Sequence, residues 1–192
     1  MNVTEKTIGN YRICINYDEY PENPRIWDNL GKMVCFHRRY NLGDKNHGYS
    51  SNQFESWGEL ENTIRENENV HTILPLYLYD HGGITISTNS FNDSWDSGKI
   101  GYIFVTNRMV KENGLDIENK ELIQRILEGE VETYDKYLRG DIYTYSVYKI
   151  TTCNFGHKHE ELVESCGGYQ DEDEAMSEAE HIVNNYKESV CS

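Results

Sequence analysis

The chain has 192 residues, which is enough for one sizeable domain and short for two. It carries 33 Asp and Glu against 18 Lys and Arg, and its formal net charge of −15 argues against direct binding to nucleic acid. The N-terminus has no apolar signal segment, no apolar run reaches the ~20 residues of a membrane helix, and the five cysteines are odd in number. We therefore expect a cytoplasmic protein with reduced thiols and no membrane contact.

Strand signals in this chain are alternating apolar positions and short apolar runs between turn residues. In residues 11–20, Ile13 and Ile15 share one face, which is typical of a half-buried strand. Pro75 lies inside a later segment and predicts an edge strand or a bulge there. The turn at 81–83 predicts a hairpin. The predicted strands are 11–20, 32–37, 72–80, 83–88, 99–106, 142–153 and 161–169.

Helix signals separate these strand groups. Ser56 and Glu59 have the spacing of a capping box at the start of the first helix. Apolar residues from Leu122 to Leu138 form one stripe of a long helix. The predicted helices are 56–67, 107–113, the long helix that ends at Gly140, and an acidic C-terminal helix at about 171–189.

The order of these elements favours the α+β class. Hairpin strands alternate with helices, which predicts an antiparallel or mixed sheet of six to seven strands with three to four helices packed on it. The sequence shows no linker, internal repeat or low-complexity tract. We therefore expect a single domain over residues 1–192.

Four residues that could ligate zinc lie close together near the predicted C-terminal hairpin. Their spacing matches no common zinc pattern, and cysteines that simply pack in opposite strands are the favoured explanation. We therefore assign no metal site and no cofactor. The four residues are Cys153, His157, His159 and Cys166.

Adjacent cations before a turn, in a chain so rich in acids, point to an anion site. Two guanidinium forks beside flexible Asn and Gly residues suit a phosphate group, and acid–histidine and acid–serine pairs in two glycine-rich loops could converge on them. This pattern predicts a nucleotide or cyclic-nucleotide site, either for capture or for hydrolysis. The candidate ligand-binding residues are His37, Arg38, Arg39, Asp80, His81, Asp96 and Ser97.

Two observations weigh against a catalytic interpretation of that site. The chain contains no nucleophile-elbow, Walker or Rossmann spacing, so we assign no catalytic residue and favour a binding protein over an enzyme. The favoured explanation for the arginines needs no ligand: one pairs with a nearby acid, such as Asp28 or Asp44, and anchors the loop, and the other is solvated.

The later helices carry dense negative charge. Such a surface can bind a basic protein, and it can occupy a nucleic-acid-binding groove as a DNA mimic. A solvated helix face is the competing explanation. The candidate partner-binding residues are Glu121, Glu128, Glu130, Glu132, Asp135, Asp171, Glu172, Asp173 and Glu174.

Five segments together resemble an uncharacterised protein family found in phages, prophages and mobile elements of Firmicutes and gut bacteria. The segments are WDNLGKMVCFHRRYNLGD (27–44), LPLYLYDHGGITIST (74–88), WDSGKIGYIFVT (95–106), GEVETYDKYLRGDIY (129–143) and ESCGGY (164–169). Family members often read DHSG where this chain has DHGG, so serine chemistry is not expected at position 82 or 83.

The resemblance implies a small accessory protein that acts in the cytoplasm of a bacterial host, and no site residues transfer with it. By analogy, the leading hypothesis is a non-enzymatic anti-defence inhibitor, similar to an anti-CRISPR protein, that binds a basic host defence protein or nuclease. The alternatives are nucleotide binding or hydrolysis around Arg38 and Arg39, and a structural or regulatory interaction protein of the phage.

Overall fold

The computed structural model describes residues 2–93 and 95–190, and the chain divides into two compact units. Unit 1 comprises Met1–Glu22 and Gly140–Ser192, and unit 2 comprises Asn23–Arg139. The described residues form eight strands and four α-helices, which confirms the α+β class. The strands make two antiparallel sheets of four, and the prediction of one sheet with six to seven strands is wrong. The single domain stays a prediction.

The elements follow the predicted order with one addition at the N-terminus. Two short 3-10 helices, Pro24–Ile26 and Ser51–Gln53, accompany them. The strands are β1 (Asn2–Ile8), β2 (Tyr11–Tyr17), β3 (Lys32–Cys35), β4 (Val70–Asp80), β5 (Ile84–Ser87), β6 (Ser97–Thr106), β7 (Tyr143–Thr152) and β8 (Lys158–Tyr169). The helices are α1 (Trp57–Glu68), α2 (Asn107–Glu112), α3 (Lys120–Arg139) and α4 (Glu172–Val190). None of the helices among the described residues has the length and apolar character that crossing a membrane requires.

Unit 1 is one sheet covered by one helix. Its strands lie in the order β1-β2-β7-β8, so β1, which the sequence pattern did not predict, is an edge strand. The buried face of β2 carries Ile13 and Ile15, both fully buried. Ala175 and Ala179 of α4 pack against this face, and their small side chains let the helix approach the sheet closely. The helix at about 171–189 is thus confirmed as a packed element.

Unit 2 is a sheet with helices on both faces. Its strands lie in the order β3-β6-β4-β5, and β6 is buried along most of its length. Alternate side chains of β6 point to opposite faces: Ile103 joins the core under α3, and Phe104 joins the core under α1. Gly101 is required where β6 pairs with β3, because a Cβ there would lie 1.8 Å from the carbonyl oxygen of Val34.

The bulge predicted from Pro75 is present. Pro75 pairs with Tyr102 of β6, and the register shifts between Leu76 and Tyr77. The β4–β5 pairing begins only at Tyr77, so no strand on that side needs a hydrogen bond from the proline nitrogen.

A buried arginine ties the N-terminal segment of unit 2 to α3. The Arg25 side chain is 3% exposed and makes a two-pronged contact with Asp44, through Nε at 2.8 Å and Nη2 at 3.1 Å. Its Nη1 donates to Glu130 Oε2 at 3.1 Å, and Nη2 also donates to the carbonyl of Gly31 at 2.7 Å. Glu130 in turn accepts the backbone N–H of Leu30 at 2.6 Å. Every charged group of this cluster is therefore paired.

We predict that Arg25→Met lowers the free energy of unfolding by about 3–5 kcal/mol, because it leaves two largely buried carboxylates without their cation. Urea denaturation followed by circular dichroism measures the change. The control is Arg65→Met, which breaks an exposed i,i+4 pair with Glu61 and changes stability by less than ~0.5 kcal/mol. Equal stability of the two variants would contradict a supporting role for Arg25.

Candidate functional site

A cleft of about 480 Å³ opens in unit 2 beside the N-terminus of α1. The segment after β3 forms one wall, and the residues that lead into α1 form the other. The volume lies in the range of small-molecule sites, roughly 300–1,000 Å³. We call this the aromatic cleft. Its lining includes Phe36, His37, Arg38, Tyr40, Glu55 and Trp57.

Ring contacts hold the walls of the aromatic cleft. Phe36 stacks on Trp57 with a centroid separation of 6.3 Å and an interplanar angle of 17°. His37 stacks on Tyr40 at 4.9 Å and 8°. Rings held by such contacts offer flat surfaces to a planar ligand without a large loss of side-chain freedom on binding.

Arg38 and Arg39 have different environments. Arg38 is exposed, lines the aromatic cleft and makes no ion pair with any described residue. Arg39 forms an ion pair with Asp80. The predicted pairing with Asp28 or Asp44 is wrong, because Asp44 is already bound to Arg25 in the buried cluster.

The end of β4 and the start of β6 bring further candidate residues together. The Asp80 N–H donates to the Asp96 carbonyl at 2.8 Å, which sets the two loops side by side. His81 Nδ1 lies 2.8 Å from Asp96 Oδ2. The Tyr40 hydroxyl donates to Asp80 Oδ1 at 3.2 Å, so Tyr40 touches the aromatic cleft with its ring and the loops with its hydroxyl.

The structure thus places most of the predicted ligand-binding residues around Tyr40. Arg39, Asp80, His81 and Asp96 meet on the loop side, and His37 and Arg38 lie on the cleft side. Ser97 stands apart, because its hydroxyl donates to the carbonyl of Asp93 within the same loop.

Electrostatics keep His37 neutral. Partial burial lowers its pKa, and the charges of Arg39 and Arg38 lower it further, while Asp80 acts in the opposite direction. His37 Nδ1 also accepts the backbone N–H of Arg39 at 3.3 Å, an acceptor role that requires an unprotonated nitrogen.

Sequence analysis missed several residues of this region. Trp57 lies in the first predicted helix and was not among the candidate site residues, but it is half-buried and lines the aromatic cleft with Glu55. Trp95 is 94% exposed beside Asp96. The available signal was tryptophan next to acids and glycines in a loop, which is an unusual place for a core residue.

Two of the candidate partner-binding acids are used inside unit 2. Glu130 binds Arg25 and the backbone of Leu30. Asp135 accepts the N–H of Ile86 at 2.8 Å and its side chain is 13% exposed. Both carboxylates thus have partners within unit 2, and their predicted role in partner binding stays a prediction.

The remaining acids are distributed over both units. In unit 2, Glu121 and Glu132 are exposed, and Glu128 is half-buried; Glu128 and Glu132 line a second cleft of about 450 Å³. In unit 1, Asp171 accepts the N–H groups of residues 173 and 174 as the N-cap of α4. Glu172 accepts the hydroxyl of Thr4, and Asp173 and Glu174 are exposed.

The β7–β8 hairpin separates the four cysteine and histidine candidates. His159 pairs with Thr151 near the turn, whereas Cys166 pairs with Tyr145, roughly 20 Å further along the strand. Within residues 2–93 and 95–190, no group of three or more His, Cys, Asp or Glu side chains is arranged to hold a metal ion.

Comparison of this chain with protein-family models, with curated proteins and with solved structures finds no match in any of the three.

We predict that histidine ring NMR finds the pKa of His37 below 6.5 and that Arg39→Met raises it, because this change removes one cation and frees the Asp80 carboxylate. The folded state binds this proton more weakly than the unfolded chain does. Protonation of His37 therefore favours the unfolded chain. The free energy of unfolding is unaffected by this group above about pH 6.5, and it decreases as the pH falls from there through the folded pKa of His37. Arg108→Met, at an 83% exposed position, is the control. A wild-type pKa at or above 6.5 would contradict the assignment.

Proposed function

We propose that unit 2 binds a nucleotide or cyclic nucleotide in the aromatic cleft. One observation carries the proposal: Arg38 is an exposed guanidinium that lines a cleft with stacked aromatic walls and makes no ion pair with any described residue. A cation that stays unpaired at a cleft is available to an anionic ligand.

The chemistry of the lining matches the three parts of a nucleotide. The Trp57 ring, which lines the cleft, suits a base, because stacking on aromatic side chains contributes about 1–3 kcal/mol per base. The Arg38 guanidinium suits a phosphate. Glu55 supplies an exposed carboxylate that can accept the hydroxyl groups of a ribose, as acidic residues do in dinucleotide-binding folds.

The cleft supports capture of the ligand, without turnover. The Ser56 hydroxyl at the cleft has a structural role: its Oγ accepts the N–H of Glu59 as the N-cap of α1, and no described histidine contacts it. A protein of this kind would act as a sponge that lowers the free concentration of a nucleotide in the host cytoplasm.

We predict that Arg38→Met lowers nucleotide affinity about 10- to 100-fold, the range expected for loss of charge-assisted hydrogen bonds. A thermal-shift screen of 5′-AMP, 5′-GMP, 5′-UMP and their 3′,5′-cyclic forms first identifies the tightest probe, and calorimetry then compares the variants. The control Arg108→Met removes an equally charged side chain that does not line the cleft. A flat screen of the wild-type protein would overturn the proposal.

A second candidate function is the anti-defence inhibitor. Unit 1 carries 15 Asp and Glu against 5 Lys and Arg, so its residues hold most of the net negative charge of the chain. Exposed acids in the first turn of α4 and on α3 add local negative potential, which attracts a basic host defence protein or nuclease. The family resemblance to phage and mobile-element proteins gives this role its context and also allows a structural or regulatory phage role.

We predict that inhibition of a host restriction or CRISPR nuclease by this protein weakens between about 50 and 300 mM salt, since exposed charges are screened. Two charge reversals separate the units: Glu121→Lys with Glu132→Lys in unit 2, and Asp173→Lys with Glu174→Lys in unit 1. Glu130, Asp135 and Asp171 stay unchanged because they hold the fold. DNA cleavage assays measure inhibition. Full inhibition by both charge-reversed proteins would rule out the exposed acids as the binding surface for the nuclease.

A further inference from the structure

Trp95 is an exposed tryptophan whose backbone is hydrogen-bonded to Asp93. Its side chain is 94% exposed, although tryptophan is highly buried on average in folded proteins. The turn that presents it is built by Asp93, whose Oδ1 accepts the N–H of Trp95 at 2.9 Å and that of Asp96 at 3.4 Å. An apolar ring that a hydrogen-bonded turn holds in water is suited to contact a ligand.

Trp95 is connected to the aromatic cleft through two hydrogen bonds. The Tyr40 ring lines the cleft, and the Tyr40 hydroxyl donates to Asp80. The Asp80 N–H donates to the carbonyl of Asp96, the residue next to Trp95. These two hydrogen bonds therefore link Tyr40 to the residue that follows Trp95.

Two adjacent arginines, Arg38 and Arg39, belong to this region of unit 2. Arg39 is 68% exposed, and its Nη2 contacts Asp80. Its Nε and Nη1 groups have no ion-pair partner among the described residues. Arg39 Cζ lies 5.5 Å from the centroid of the Tyr40 ring, and the adjacent Arg38 lines the aromatic cleft. A phosphate that reaches both guanidinium groups can accept hydrogen bonds from each.

We infer that the ligand of the aromatic cleft is a dinucleotide, with one base in the cleft, the second base stacked on Trp95, and the connecting phosphate at Arg38 and Arg39. The inference rests on the proposed nucleotide-binding function and names the class of nucleotide. It assigns a role to the exposed ring, and it explains why Arg39 keeps free donors beside a single carboxylate.

The experiment compares mononucleotides and dinucleotides on wild type, Trp95→Ala and Trp27→Ala. The probes are 5′-AMP, linear pApA and cyclic di-AMP, and calorimetry gives each dissociation constant. Trp27 is the matched control, because it is 46% exposed in the same unit and does not line the aromatic cleft. Truncation of Trp95 removes an exposed ring, so its melting temperature should equal that of wild type.

We expect wild type to bind pApA or cyclic di-AMP at least about 10-fold more tightly than 5′-AMP. Trp95→Ala should weaken binding of that dinucleotide about 5- to 100-fold, the effect of losing one stacked base, and leave 5′-AMP binding unchanged within about twofold. Trp27→Ala should change neither. Comparison of the two dissociation constants, for pApA and for cyclic di-AMP, shows whether the preferred ligand is linear or cyclic.

Two results would overturn the inference and leave nucleotide binding intact: equal affinity of wild type for 5′-AMP and for both dinucleotides, or an undiminished dinucleotide advantage in Trp95→Ala. Failure of every mononucleotide and dinucleotide to bind would instead overturn the proposed function together with the inference.

Discussion

The buried guanidinium of Arg25 is the constraint on which unit 2 depends. It contacts Asp44 and Glu130. These carboxylates also accept backbone N–H groups: Glu130 accepts that of Leu30, and Asp44 accepts that of Met33. A buried charge that lost one partner would be unstable, so the three side chains fix each other. The chain between Arg25 and Asp44 contains β3 and the cation-bearing loop. Its two ends are held by one ion cluster, which positions Arg38 and the other residues of the aromatic cleft.

The ion pairing of Arg38 has to be judged against the excess of negative charge in the chain. In a neutral protein, an exposed arginine needs no explanation, since most are solvated. Arg38 and Arg125 have no carboxylate partner among the described residues, and Arg38 is the one of these two that lines the aromatic cleft. The other arginines each have such a partner: Arg12, Arg25, Arg39, Arg65, Arg108 and Arg139. The acids likewise serve different purposes. Glu130 and Asp135 stabilise the fold from within, and the exposed acids of α3 and α4 remain for solubility or for a basic partner.

Local patterns predicted most elements correctly, because side-chain periodicity, caps and turn residues act over a few positions. The helix after Ser56, the hairpin at 81–83 and the bulge near Pro75 all appear where such signals placed them. Strand β1 was missed, since its polar sequence lies at a sheet edge and carries little apolar alternation. The division into two sheets was missed as well. Strand pairing joins residues as distant as Tyr11 and Lys149, and no local signal specifies it.

The sequence by itself determined the α+β class, the excess of acid, and the set of residue types from which an anion site could be made. Only the tertiary structure decided their roles. It assigned Asp44 and Glu130 to Arg25, paired Arg39 with Asp80, and left Arg38 beside aromatic rings. Each of these outcomes follows from which opposite charge lies within hydrogen-bonding distance after folding. That distance depends on contacts between segments far apart in the chain, and residue spacing alone does not encode it.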